Sequence, residues 1–175
     1  MLGVRESRRI MGDYVLNAED LMAGRYFDDA IAMGGYHIDI HRPSGTWVES
    51  KNVKTYTIPL RSLMARDVDG LLMAGKCLSA THEAVASTRV VPPCMAQGQA
   101  VGTLAAFAAT RGVAVRSIPI RELQDRLVEH GAEIGRTLAP PNLQAIEEVG
   151  QLPLGDDDTT GDYDSASSGA GAWIK

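Results

Sequence analysis

The sequence predicts a mixed fold of helices and strands, α/β in class with an α+β arrangement within the chain itself. Three observations predict it: an alternating segment near residue 38, a short apolar run that ends at Gly75, and a long stretch of small residues that ends at Gly112. Strand signals followed by helix signals indicate layers of sheet and helix around a shared core. The 175 residues are enough for one domain with its own core.

The first part of the chain carries mainly strand signals. "RRIMGDYVL" has strand character, and Asn17 with Asp20 three positions later gives a capping signal for a short helix in "AEDLMAG". "GYHIDIHRP" alternates isoleucines with polar residues, which is typical of a strand with one buried face. "WVESKNVKTYTIPL" is its predicted partner, with Ser44 and Gly45 in the turn. We therefore expect an antiparallel layer here.

The second part carries one strand signal and two helix signals. "GLLMAG" is short and continuously apolar, so it predicts a strand buried on both faces inside a sheet. Pro92 and Pro93 suit the first turn of a long helix that runs to Gly112. Gly98 and Gly102 share one face of that helix and predict close approach of a sheet or a flat ligand. "IPIRELQDRLVEHG" predicts a last, amphipathic helix.

Composition excludes several classes of function. A net charge of -5 gives no electrostatic reason to expect nucleic acid or an anionic membrane as a partner. Two cysteines without CxxC spacing predict neither an iron–sulfur cluster nor a secreted disulfide framework, so we expect a cytoplasmic protein. No window approaches the roughly 20 apolar residues of a membrane span. From residue 139 onward the composition predicts a disordered acidic tail.

The segment "HEAVASTRVVPPC" collects the residue types that carry chemistry. We expect His82 and Arg89 to lie in a loop between the apolar strand and the long helix, whose free N–H groups and partial positive charge favour an anionic or carbonyl-rich ligand. An ordinary strand-to-helix connection is the alternative. Cys94 is interpreted as a small hydrophobic residue rather than a redox thiol.

Two histidines on the predicted alternating strand raise the question of a metal. His37 and His41 share one strand face with Asp39, and no further ligands are evident, so no metal site is predicted. A strand face turned toward a substrate and an ordinary exposed sheet surface are the two interpretations left open for these residues.

Several blocks, in order, resemble a known family. "GVRESRRIMGDYVL", "YHIDIH", "YTIPLRSL" and "GLLMAGKCLSATHEAVASTRVVPPCMAQGQAVGTLAA" are similar to the C-terminal part of FAD-dependent oxidoreductases. The group is related to fumarate reductase and succinate dehydrogenase flavoproteins and to the flavin subunit of heterodisulfide reductase. The resemblance covers roughly residues 2–136. It implies part of a glutathione-reductase-like FAD-binding fold, with 1–60 from a substrate domain, 61–138 from the FAD-binding domain and 139–175 as the tail.

The resemblance also implies roles for individual residues. The helix start would face N1 and the C2 carbonyl of the isoalloxazine, where a reduced flavin carries negative charge. It implies substrate binding or catalysis for His82 and Arg89, because a histidine and an arginine of the matching region bind the substrate carboxylate in fumarate reductases. Flavin contact is implied for a second set of residues: Gly75, Arg89, Cys94, Met95, Gln97 and Gly98.

One departure from the family pattern changes the expectation. The sequence contains no G-x-G-x-x-G, the turn that holds the pyrophosphate of FAD. We therefore expect a truncated reading frame, a split subunit or a fragment, which binds FAD poorly alone. A separate polypeptide with the GxGxxG domain would complete the FAD site and allow turnover of a small-molecule substrate. The alternative is a non-catalytic remnant or interaction module that keeps the fold without the cofactor.

Overall fold

A computed structural model describes residues 4–41 and 48–135 of the chain. These residues belong to one compact unit, Met1–Arg136. The predicted turn at Ser44 and Gly45 and the predicted acidic tail lie outside the described residues.

The described residues form an α+β arrangement of small sheets and helices. The strands are β1 (Ala30–Gly34), β2 (Ile38–His41), β3 (Val48–Lys51) and β4 (Tyr56–Pro59). The helices are α1 (Ala18–Ala23), α2 (His82–Thr88), α3 (Val91–Arg111) and α4 (Ile120–Glu129). Short 3-10 turns are formed by Leu60–Ser62, Gly75–Cys77 and Val115–Ser117.

The strands pair into two antiparallel sheets of two strands each, within the part of the chain that the structure describes. β2 is the predicted alternating strand, and it pairs with β3 so that Ile38 faces Lys51 and His41 faces Val48. The predicted partner segment is in fact two strands, because its second half, β4, pairs with β1. Sequence reasoning missed β1, since "AIAMG" has no alternation and acquires its partner only through the tertiary fold.

The helix predictions are confirmed. Asn17 caps α1 through a capping box: its side-chain oxygen accepts from the Asp20 amide at 3.1 Å, and its own amide donates to the Asp20 carboxylate at 3.3 Å. α3 has prolines in its first turn and ends at Gly112, whose φ of 64° is left-handed. α4 buries an apolar stripe. No helix among the described residues has the length and hydropathy needed to cross a membrane.

The strand predicted for "RRIMGDYVL" is wrong. This segment runs across the core and makes only isolated bridges, one between Gly12 and Ala65 and one between Leu16 and Ala80. Leu16 is fully buried, whereas Ile10, Met11 and Val15 are exposed, so the segment contributes its last residue to the core without forming a ladder with a neighbouring strand.

The strand predicted for "GLLMAG" is also wrong. Its single pairing is a bridge from Leu72 to Met64, and it lies in neither described sheet. Leu71 is 38% exposed, whereas Met73 is 2% exposed, so the run is buried in part rather than on both faces. A short apolar run has no periodicity that separates a central strand from an extended connection, and here the chain uses it as a connection.

The core is closed by tight contacts between segments that are far apart in sequence. A Cβ added to Gly12 would lie 2.8 Å from the Ser79 Cβ and 2.9 Å from the Arg61 carbonyl oxygen. The Tyr56 hydroxyl lies 2.6 Å from the Ser87 hydroxyl, which in turn donates to the Tyr36 carbonyl. These contacts join β4 and α2 to the start of β2.

Candidate functional site

The Gly75 turn and the first turns of α3 form the centre of the candidate site. Gly75 has a φ of 72° and donates its amide hydrogen to the Gln97 side-chain oxygen at 2.7 Å. A Cβ on Gly75 would lie 3.7 Å from the Cys94 sulfur. Three of the predicted flavin-contact residues, Gly75, Cys94 and Gln97, are therefore brought together.

The Gln97 side chain is buried, and only one of its two polar atoms has a hydrogen-bond partner among the described residues. Its oxygen is used by Gly75, whereas its side-chain nitrogen has no hydrogen-bond partner among the described residues. A buried donor left without an acceptor costs about 1–3 kcal/mol. A carbonyl or ring nitrogen of a ligand would be a suitable acceptor for this amide.

The start of α3 offers fewer amide donors than the sequence pattern suggests. A helix leaves its first four N–H groups free, here from Val90 to Pro93, and the two prolines have no N–H group. Cys94 already donates its amide hydrogen to the Val90 carbonyl at 3.2 Å. The expectation of a row of free amides is corrected to two positions, Val90 and Val91, while the partial positive charge of the helix end remains.

One face of α3 is bare within the described residues. Met95 is 70% exposed, and Gly98 and Gly102 have no atom within 4 Å of the position that a Cβ would take. The helix also carries no charged side chain before Arg111. The close approach predicted from these glycines is not made by any described residue, so the second and third turns of α3 present an uncharged surface.

His82 is the first residue of α2 and Arg89 follows its last residue, so the loop prediction is wrong for His82, whereas Arg89 lies in the short connection to α3. Thr81 caps α2 by accepting from the Ala84 amide at 3.3 Å, and Arg89 is the C-cap residue. The helix forms because residues 84–88 are all buried against the core, which a reading of the segment as a connection overlooks.

The side chains of His82 and Arg89 have different partners. The His82 Nδ1 lies 2.5 Å from the Glu6 carboxylate in an exposed pair. Arg89 donates from Nη2 to the Asp39 carbonyl of β2 at 2.6 Å. One donor of the Arg89 guanidinium is thus used to hold β2, and α2 places His82 two turns away on the same side.

The polar side chains around β2 interact locally. The His41 Nε2 lies 3.1 Å from the Asp39 carboxylate, and the His37 ring packs on the Tyr36 ring with centroids 4.1 Å apart. Among the residues that the structure describes, no group of three potential metal ligands comes together.

An apolar groove lies beside the start of α3. It has a volume of about 530 Å³, and no charged side chain lines it. Its walls come from the end of β1, the start of β4 and the first turn of α3: Met33, Gly34, Gly35, Tyr36, Thr55, Val90, Pro92 and Pro93.

The two cysteines of the chain lie on neighbouring elements, Cys77 in the Gly75–Cys77 turn and Cys94 in α3. Cys77 donates from its sulfur to the Ala74 carbonyl at 3.2 Å, and Cys94 lies against Gly75. Burial raises the pKa of the Cys94 thiol, and the positive charge of Lys76 opposes this rise. The sequence analysis considered Cys94 without Cys77, because the spacing of the two cysteines does not predict that their elements pack together.

Comparison with known proteins identifies the family. A model of the FAD dependent oxidoreductase family matches residues 1–127. The chain belongs to this family. No curated protein and no solved structure matches the chain. For a member of the FAD dependent oxidoreductase family, the expected cofactor is FAD, the expected role is flavin-linked redox chemistry, and the expected substrate is a small molecule.

Proposed function

We propose that this chain forms one wall of the flavin site in an FAD-dependent oxidoreductase. The isoalloxazine would lie against the Gly75 turn and the start of α3. The observation that carries the proposal is the Gln97 side-chain nitrogen, a buried donor that lies beside this turn and has no partner among the described residues. A flavin carbonyl or ring nitrogen would supply the missing acceptor.

The surroundings of Gln97 suit the flavin. The positive end of α3 would stabilise the negative charge that a reduced flavin gains at N1, and α3 has no acidic side chain that would oppose it. Bound FAD would supply the hydride and electron transfer, whereas the chain would orient the ring and set its electrostatic surroundings. The two amides at Val90 and Val91 would be further donors to the ring carbonyls.

The remaining predicted residues would act around this ring. Met95 and Gly98 would extend the contact surface along the bare face of α3, beyond Cys94. Arg89 has donors left beyond the one given to Asp39, and these suit a substrate carboxylate, with His82 as the proton-transferring group. These two roles follow the resemblance to fumarate reductases, in which a histidine and an arginine of the matching region bind the substrate carboxylate.

The proposal also includes a second polypeptide. Residues 1–60 would be part of a substrate domain and residues 61–138 part of an FAD-binding domain. The nucleotide-binding half would come from a chain that carries GxGxxG, because these 175 residues contain no such motif. Its sheet or its bound FAD would cover the uncharged face of α3.

Co-expression tests this arrangement. The chain is purified alone and with a co-expressed polypeptide that carries GxGxxG, and bound flavin is measured by absorbance against protein concentration. We expect little flavin on the chain alone and one flavin per complex. Stoichiometric flavin on the isolated chain would contradict the need for a second half. A stable complex without flavin would contradict the proposed wall.

The role of Gln97 has a matched control on the same helix. Gln97→Met keeps the length of the side chain but removes both the free donor and the oxygen that accepts from the Gly75 amide, and Gln99→Met makes the same change at an exposed position. In the complex we expect Gln97→Met to weaken flavin binding about five- to tenfold, since one hydrogen bond contributes about 1–1.4 kcal/mol, and Gln99→Met to have no effect.

The Gln97 measurement is a fluorescence titration of flavin into the apo-complex, with thermal unfolding to confirm that both variants fold. Equal affinity of the Gln97→Met and Gln99→Met complexes would remove Gln97 from the flavin site.

A further inference from the structure

The only two cysteines in the sequence lie on two elements that pack against each other, the Gly75–Cys77 turn and α3. Cys77 ends the 3-10 turn Gly75–Cys77, and Cys94 lies in the first turn of α3. Each is half-buried, and both thiols are free. The sulfur of Cys94 would be in van der Waals contact with a side chain on Gly75, but glycine has none, so nothing from Gly75 separates Cys94 from the turn that carries Cys77.

The turn that carries Cys77 packs against the helix that carries Cys94. Gly75 and Cys77 belong to a single 3-10 turn, which rises about 2 Å per residue, and the Gly75 end of that turn lies against Cys94. The pKa of the Cys94 thiol is raised first by burial and also by an electrostatic interaction with Cys77. A disulfide would require the two Cα atoms to lie about 4.4–6.8 Å apart.

We propose that Cys77 and Cys94 form a reversible disulfide within the chain. The oxidant is a low-molecular-weight disulfide. A Cys77 thiolate attacks one sulfur of this oxidant, which gives a mixed disulfide on Cys77 and releases one small thiol. The Cys94 thiolate then attacks the Cys77 sulfur, so that the Cys77–Cys94 bond forms and a second small thiol leaves.

The order of attack follows from burial. Because burial raises the pKa of the Cys94 thiol, Cys94 is a poor attacking group toward a molecule from solution near neutral pH. Its attack on the mixed disulfide occurs within the chain, where proximity replaces a second encounter from solution.

The bond would fix the turn beside the proposed flavin wall. It would tie the segment around Gly75 to the first turn of α3, next to the hydrogen bond from Gly75 to Gln97. This inference goes beyond the proposed function, because it concerns thiol chemistry of the chain itself and needs no flavin.

Thiol mapping of the full chain tests the proposal. The purified chain is incubated with oxidised glutathione, blocked with iodoacetamide, and measured by intact mass and by peptide mapping without reduction. We expect loss of two hydrogens from the mass, one peptide pair linked through Cys77 and Cys94, and recovery of both thiols after dithiothreitol. Glutathione retained on both cysteines, a disulfide between two chains, or two unreacted thiols would each overturn the proposal.

Single variants sharpen the result. In Cys77→Ser and in Cys94→Ser the internal bond is impossible, so we expect Cys94→Ser to keep one glutathione on Cys77 and Cys77→Ser to react much more slowly. Equal rates in the two variants would overturn the order of attack. The outcome is independent of flavin content, so failure of the disulfide and failure of the proposed flavin wall are distinguishable.

Discussion

The packed interior around Gly12 and the bare face of α3 use glycine in opposite surroundings. At Gly12 the neighbouring atoms lie closer than any side chain would allow, since an added Cβ would be 2.8 Å from Ser79 and 2.9 Å from the Arg61 carbonyl. At Gly98 and Gly102 no atom lies within 4 Å of the same position. In the first region the glycine serves a contact that the chain makes itself, and in the second the described chain makes no such contact.

The two regions differ in whether the described residues complete their packing. The Gly12 region joins the N-terminal segment to residues 61–65 and 79, so its packing is finished within the described residues. The α3 face has small, uncharged residues where an ordinary surface helix carries charges. Such a face is consistent with a surface that a partner or a ligand covers.

The largest expected effect is a loss of folding stability in the packed region around Gly12. Gly12→Ala should destabilise the chain by about 2–3 kcal/mol, because the neighbouring carbonyl and Cβ cannot move without shifting backbone. Gly35→Ala is the control, since its added Cβ would meet atoms only at 3.8 Å or beyond. Urea unfolding curves give both values. Equal midpoints for the two variants would show that the Gly12 contact is not tight.

The second prediction concerns pH and the Tyr56 hydroxyl in the same packed region. Burial raises the pKa of Tyr56 to about 12, above its ordinary value of 10.0, so the folded state favours the protonated phenol. Its stabilising contribution is complete below pH 10 and is lost as the pH rises toward 12. Wild type should therefore lose about 2–3 kcal/mol more than Tyr56→Phe between these pH values.

The Tyr56 prediction is checked by urea unfolding across this pH range. Tyr26→Phe is the control, because it removes the hydroxyl of an exposed tyrosine instead of a buried one. Parallel pH profiles for wild type and Tyr56→Phe would refute the assigned burial of the hydroxyl.

The smallest expected effect is on folding stability at Gly98, on the bare face of α3. Gly98→Ala should leave the stability of the isolated chain unchanged or raise it by up to about 1 kcal/mol, because alanine favours a helix and the space is free. Urea unfolding of the chain alone measures this. A clear loss of stability would mean that part of the chain already covers the α3 face.

Local signals were the predictable part of this fold. The capping pair Asn17 and Asp20, the prolines at the start of α3 and the glycine at its end each act through neighbouring backbone, so sequence was enough to place those helices. β1 was missed and the strand for "GLLMAG" was wrong because strand pairing is decided by distant segments, here β4 for β1. An apolar run alone does not specify a partner.

The sequence predicted the residues at the centre of the candidate site, Gly75 and Gln97, but not the structure around His82 and Cys77. Gly75 and Gln97 were named from the sequence, and the structure joins them by a hydrogen bond. The loop expected around His82 is a helix, because its burial against the core is a tertiary property. The packing of the Cys77 turn against the helix that carries Cys94 was missed for the same reason, since only the folding of the connection onto α3 brings these elements together.

The paired prolines at the start of α3 have one more consequence. Each ring fixes its own φ near −65° and so reduces the number of conformations open to the unfolded chain. The conformational entropy of this helix end is therefore lost during folding and not on ligand binding. A ligand at this helix end would contact a preorganised, rigid backbone. Any change of shape that fits the site to different ligands would have to occur in the residues on the other side of the ligand.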